Sequence, residues 1–167
     1  EGYRQAKDEG QKTGLQVILG MEFTLPGTND DILIYGFDEN FLYENENMHL
    51  LNKDELKELA RKNNLLLIQA HPFRKMISRR YDDTVDGYEG FNGHPRHESM
   101  NDKAYEHALK FGGIIISGTD FHREGEAGTG GIYLPVLPGN SYEFAGILRQ
   151  IKTPELFRRV ISIENKK

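Results

Sequence analysis

Six side chains of metal-ligating or acid–base type follow strand-like runs in this sequence. Glu22 lies near the end of LQVILGMEFT. His71 directly follows LLLIQA. Glu89 and Asn92 close a weaker β-prone run, and Asp120 and His122 follow GIIISG. In α/β sheets and barrels, ligands bind at the carboxyl ends of strands. Four strands that each deliver Glu, His, Asn or Asp to that edge would converge on one site. Carboxylate and imidazole together suit Zn²⁺, Mn²⁺ or Fe²⁺.

Each residue also has a plainer reading. Alternate residues of an extended segment point the same way, so Asp120 and His122 are expected to share a pocket, with Phe121 turned into packing. The alternative is a loop Asp and an exposed His. Pro72 is expected to bias His71 towards an extended backbone. Arg74 either binds an anion bidentately or serves as a surface ion-pair partner. Glu22, among apolar neighbours, either meets a cation or donor or points to solvent. His94 and His97, in the turn-rich segment 89–98, read as metal ligands, as substrate contacts together with Glu89 and Asn92, or as ordinary exposed histidines. His107 reads as half-buried helix packing, and Arg79-Arg80 as a solvated pair. Gly128-Thr129-Gly130-Gly131 lacks the Lys-Ser/Thr of a phosphate loop and reads as a turn before a strand.

The elements that must position these groups alternate along the chain. Helices are expected over Glu1–Lys12, Asn52–Asn63, Asn101–Phe111 and Ser141–Ile151. In the second, Asn52 and Glu55 have capping-box spacing; Gly112-Gly113 ends the third. Strands are expected over Leu15–Thr24, Asp31–Phe37, Leu65–Ala70, Val85–Phe91, Gly113–Gly118, Gly131–Leu134 and Val160–Ile163. Alternation of this kind predicts an α/β fold with a parallel sheet, and LLLIQA reads as a strand buried on both faces. Residues 38–50 and 73–83 are long connections, which in α/β proteins often carry function.

The chain has 167 residues, enough for one domain with a core but short of the ~250 residues of a complete eight-unit barrel. There is no cysteine, which excludes disulfides, thiolate zinc sites and cysteine nucleophiles and fits a cytoplasmic protein. No apolar run approaches a membrane span. The net charge of −5 disfavours long nucleic acid as a partner.

Together, Gly20–Thr24 (GMEFT), Gln69–Arg74 (QAHPFR), Asp86–Gly93 (DGYEGFNG) and Ser117–His122 (SGTDFH) resemble, in order and spacing, the polymerase and histidinol phosphatase (PHP) superfamily. The resemblance covers nearly the whole chain, residues 1–167, as a single domain. It implies a distorted seven-stranded β/α barrel, two or three divalent metal ions (Zn, Mn or Fe) and phosphoester hydrolysis by a metal-activated water. Glu22 would be a bridging carboxylate, with His71, Asp120 and His122 as ligands and Arg74 as a phosphate contact. Asp31 stands where the family often has a ligand His. His94 and His97 have no match in the pattern. The family's N-terminal H-x-H and T-D-H motifs are not in this sequence, and Glu1–Ala6 resembles the helix that follows T-D-H. An incomplete barrel with its first strands absent is therefore expected, with weak metal binding and little turnover by the chain alone. Expected substrates are a small phosphomonoester, a nucleotide or an oligonucleotide. The competing readings are another barrel metal hydrolase, such as an amidohydrolase, and a PHP-like module that binds without catalysis.

Overall fold

A computed structural model describes residues 2–159. Helix α1 (Gly2–Thr13) precedes a hairpin of β1 (Met21–Thr24) and β2 (Asp31–Tyr35). After α2 (Glu39–Glu44), a 3-10 turn (Met48–Leu50) and α3 (Lys53–Asn63) comes β3 (Leu66–Gln69). The unit β4 (Gly87–Asn92), α4 (Asn101–Phe111) and β5 (Ile114–Gly118) follows. The described chain ends in β6 (Gly130–Ile132), α5 (Ser141–Ile151) and β7 (Leu156–Arg158). The expected strand over Val160–Ile163 lies outside the described residues. Connection 38–50, expected as a long loop, contains α2 capped by Asp38, whose side chain accepts from Phe41 N.

Five strands form one sheet in the order β1-β2-β3-β4-β5, and β6 pairs with β7 in a separate ribbon. The expected parallel sheet is found in its second half. The β3–β4 and β4–β5 pairs are parallel, whereas β1–β2 and β2–β3 are antiparallel. The reason is local: six residues join β1 to β2, and Leu25 N donates to Asp30 O across them, a connection too short for a parallel crossover. The sheet is mixed and open among the described residues, so the closed, distorted barrel implied by the resemblance does not form there.

Alternation within the strands divides the core into two layers. On one face Ile32, Ile34, Leu67, Tyr88 and Ile115 pack with Leu56 and Ala60 of α3 and Ala108 of α4. On the other, Leu66, Ile68, Ile114 and Ile116 pack with Ala145 and Leu148 of α5. The run LLLIQA is buried throughout because both faces are covered. The α3 capping box forms as expected, with Asn52 accepting from Glu55 N and Glu55 from Asn52 N.

Close strand approach explains Gly87. A Cβ there would lie 2.0 Å from the Ile114 carbonyl oxygen and 2.8 Å from its Cα. The connection from β3 to β4 is held by buried polar groups. Gln69 donates to Arg79 O at 2.7 Å and accepts from Tyr81 N at 3.1 Å. Asp30, fully buried, accepts from Ser78 N at 2.7 Å, from the Ser78 hydroxyl and from Tyr81 Oη at 2.5 Å. Arg79 is exposed, as expected of a solvated pair, and Arg80 is half-buried. Arg79 lies over the Tyr81 ring, while Arg80 lies over Phe73 and donates to Pro72 O. No described helix is long and apolar enough to cross a membrane.

Candidate metal centre

Because β1 and β2 are antiparallel, the carboxyl end of β1 and the amino end of β2 lie at the same sheet edge, with Thr24 opposite Asp31. Ile32 is opposite Gln69, Gln69 opposite Tyr88, and Asn92 opposite Gly118. His71 and Asp120 therefore leave the sheet at the edge where Asp31 enters it. A register irregularity between Glu89 and Phe91 locally breaks the β4 ladder, a device that re-aims side chains beside functional sites.

Among the described residues, two groups of side chains could each hold a metal ion, with ligand atoms within 4.8 Å of one another: Glu22, Asp31 and His71, and His94, Asp120 and His122. In the first, His71 Nε2 lies 3.3 Å from Glu22 and 3.5 Å from Asp31. Both readings of Glu22 hold a share: its side chain is 47% exposed, yet it reaches His71, which is 3% exposed. Burial pushes the Asp31 carboxyl up; the Thr24 hydroxyl, donating at 2.6 Å, opposes this and the Glu22 charge adds to it. Two carboxylates against one buried imidazole favour a cation between them.

His71 is not extended as Pro72 led one to expect; its φ is +26°. Its backbone N–H turns inward to donate to Glu89 at 2.8 Å. Asp120 is also left-handed, at φ +53°. Non-glycine residues in this region are strained, and such strain clusters at functional sites. Glu89 is buried and also accepts from Asn92 at 3.0 Å. Burial raises its carboxyl to about 7, against the bonds from His71 and Asn92.

The second group joins expected residues to His94, for which the resemblance had no place. Asp120 Oδ1 lies 3.3 Å from His122 Nδ1, so these two do share a side of the chain. Phe121 does not turn into packing; it is 58% exposed, because the segment leaves the sheet as an open turn. The rings of His94 and His122 are 5.1 Å apart, and that of His97 is 4.5 Å from His94. His97 belongs to neither group of potential ligands. Burial lowers the pKa of His94, which favours its neutral form, and its Nδ1 accepts from the Arg96 backbone N–H at 3.1 Å.

Arg74 is an ion-pair partner of Asp120, though not at the surface. It is mostly buried, and its Nη2 donates to Asp120 at 2.7 Å, Asn92 at 3.0 Å and Ser99 at 3.3 Å. Burial alone would raise Asp120, but the bonds from Arg74 and Asn92 outweigh it and hold the carboxyl below the usual range. Arg74 Nε and His71 Nδ1 are buried without a hydrogen-bond partner among the described residues. His107, as expected, packs edge-on against Tyr88 and Phe73, with Nε2 3.0 Å from Asp82.

Sequence reasoning missed Ser99, Arg96 and Glu126, which surround the second group. The one available signal for Glu126 was an acid four residues after His122 in a turn-rich stretch. The donor sets, two carboxylates with one His and two His with one carboxylate, match divalent zinc, manganese or iron. No family model matches the chain, and no curated protein matches it.

Proposed function

We propose that this chain is a PHP-like, metal-dependent phosphoesterase domain. The observation that carries the reading is the convergence of Glu22 and Asp31 on buried His71, at the same sheet edge as Asp120 and His122. Glu22, Asp31 and His71 would hold one divalent ion; Asp120 and His122, with His94, would hold a second. A bound ion would supply a Lewis acid for phosphate oxygens and a water acidic enough to ionise near neutral pH.

The chain's own residues do the positioning. Glu89 holds the backbone of His71 and the side chain of Asn92. Asn92 in turn donates to Asp120 at 3.2 Å. Arg74 starts one short turn past His71 and ends on Asp120, so a guanidinium stands between the two ligand groups, suited to a phosphate oxygen. The substrate class is a small phosphomonoester or nucleotide; the acidic net charge disfavours a long nucleic acid.

Metal-linked stability tests this reading. Mn²⁺ or Zn²⁺ at a hundredfold excess over its Kd should stabilise the fold by about 2.7 kcal/mol. The gain should disappear in a His71→Ala, Asp120→Asn double variant. A melting temperature indifferent to Mn²⁺ and Zn²⁺ would overturn the metal reading. Hydrolysis of amides but not phosphoesters by the loaded chain would point instead to an amidohydrolase.

A further inference from the structure

A groove of about 550 Å³ lies between the 43–51 segment and α3. Its floor is apolar. Met48 is buried there, and Leu51 and Leu59 are half-buried against the main core layer. Tyr43 lines the groove and is 65% exposed; Leu50, next to Leu51 in the chain, is 67% exposed. Large apolar side chains scattered singly over a surface are ordinary. A hollow with an apolar floor and exposed apolar neighbours marks a contact surface.

The rim is acidic. Glu44, Glu46, Glu55 and Glu58 line the groove against one cation, Lys62. Glu58 is neutralised by Arg61, and Glu55 keeps its charge while accepting from Asn52 N in the α3 cap. Glu44 and Glu46 are exposed. Three carboxylates therefore remain against one ammonium. Arg4, which reaches the Tyr43 hydroxyl, is itself paired with Glu39. The imbalance extends beyond the groove: residues 38–58 hold seven Asp and Glu against two Lys, a net −5 that equals the net charge of the whole chain.

Charge decides which occupant fits. A two-fold dimer sets the same patch of each subunit against the other, so a second copy would bring two acidic rims together. Nucleic acid and anionic membrane surfaces are repelled for the same reason. A segment that carries Lys or Arg beside large apolar side chains matches both floor and rim, as an amphipathic helix does when laid in an apolar groove.

We infer that this groove is a docking site for a basic, apolar-anchored segment of a partner protein. The groove shares no residue with the candidate metal centre, so docking there does not depend on bound metal.

A displayed library of random peptides about 12 residues long, selected on the full chain, provides the test. Tyr43→Ala removes an apolar wall, and the double variant Glu44→Lys, Glu46→Lys reverses the rim. Both change exposed side chains and should leave the melting temperature close to that of wild type. Selected peptides are labelled with a fluorophore and their affinities read by anisotropy. The expected sequences combine Lys or Arg with Leu, Ile, Phe or Met. Each variant should weaken their binding about tenfold. Raising salt from about 0.05 M to about 0.5 M should weaken binding to wild type as well. Selection that returns no sequence, sequences without basic residues, or peptides that bind both variants as tightly as wild type would overturn the inference. So would a dimer in sedimentation that Tyr43→Ala dissociates, because a second copy would then occupy the groove.

Discussion

Glu89→Gln should make the metal-free protein more stable at alkaline pH and leave it little changed at acid pH. The Glu89 carboxyl moves from an ordinary 4.5 to about 7 in the fold, chiefly through burial. A raised pKa means that the native state binds the proton more tightly than the unfolded chain does. Between these two values the native state carries more protons, so stability falls as pH rises. Below about 4.5 both states are protonated and nothing is lost; above about 7 the loss is complete. The full difference is on the order of 3 kcal/mol, most of it arising between about pH 5 and pH 8. Glutamine keeps an oxygen to accept from His71 N and Asn92 but carries no charge to bury. Urea unfolding followed by circular dichroism, with chelator present, measures wild type and variant across this range. The difference between them should widen by about 2–3 kcal/mol from pH 5 to pH 8. A difference that stays constant with pH would refute the argument that burial governs Glu89.

Gly87→Ala should destabilise the fold by about 3 kcal/mol, the upper end for overpacking, in the same assay, because its methyl group would meet Ile114 backbone atoms that cannot move aside without opening the β4–β5 pair. Arg74→Met should raise the Asp120 carboxyl, since burial would then act without the guanidinium that now opposes it. Stability due to a depressed carboxyl is present above its unfolded pKa and is lost as pH falls through the folded value. The variant should therefore lose that contribution at a higher pH than wild type, read as an upward shift of the acid-unfolding midpoint.

Local signals carried far in the sequence. The bounds Asn101–Phe111 and Ser141–Ile151 are the helices found, and the α3 capping box is formed by the two residues whose spacing announced it. Glu22, His71, Asp120 and His122 do reach the two ligand groups, because each follows or ends an apolar run that the sheet aligns. What sequence could not convey was set by non-local pairing. The antiparallel start of the sheet depends on which edge accepts the hairpin. The leading part of the expected first strand, 15–20, is not strand, since β1 begins only at Met21. His94 joins Asp120 and His122 only after β4 and β5 pair, and nothing in a turn-rich segment distinguishes its ring from that of His97. The departure of His71 from an extended backbone comes from Glu89, eighteen residues away.

Gln69 gives the interior strand a means of proofreading its own alignment. Every residue of β3 is buried, so a one-residue slip would exchange one apolar face for another and meet little resistance from hydrophobicity alone. The carboxamide supplies that resistance. In the native alignment its donor and its acceptor both meet the 79–81 backbone. A slipped strand would carry the same amide into an apolar layer with neither bond made, a loss of about 1–3 kcal/mol for each polar group left unmatched. Such a mispaired sheet is compact but unprofitable, and it has reason to reopen before His71 and its neighbours are committed to the wrong edge.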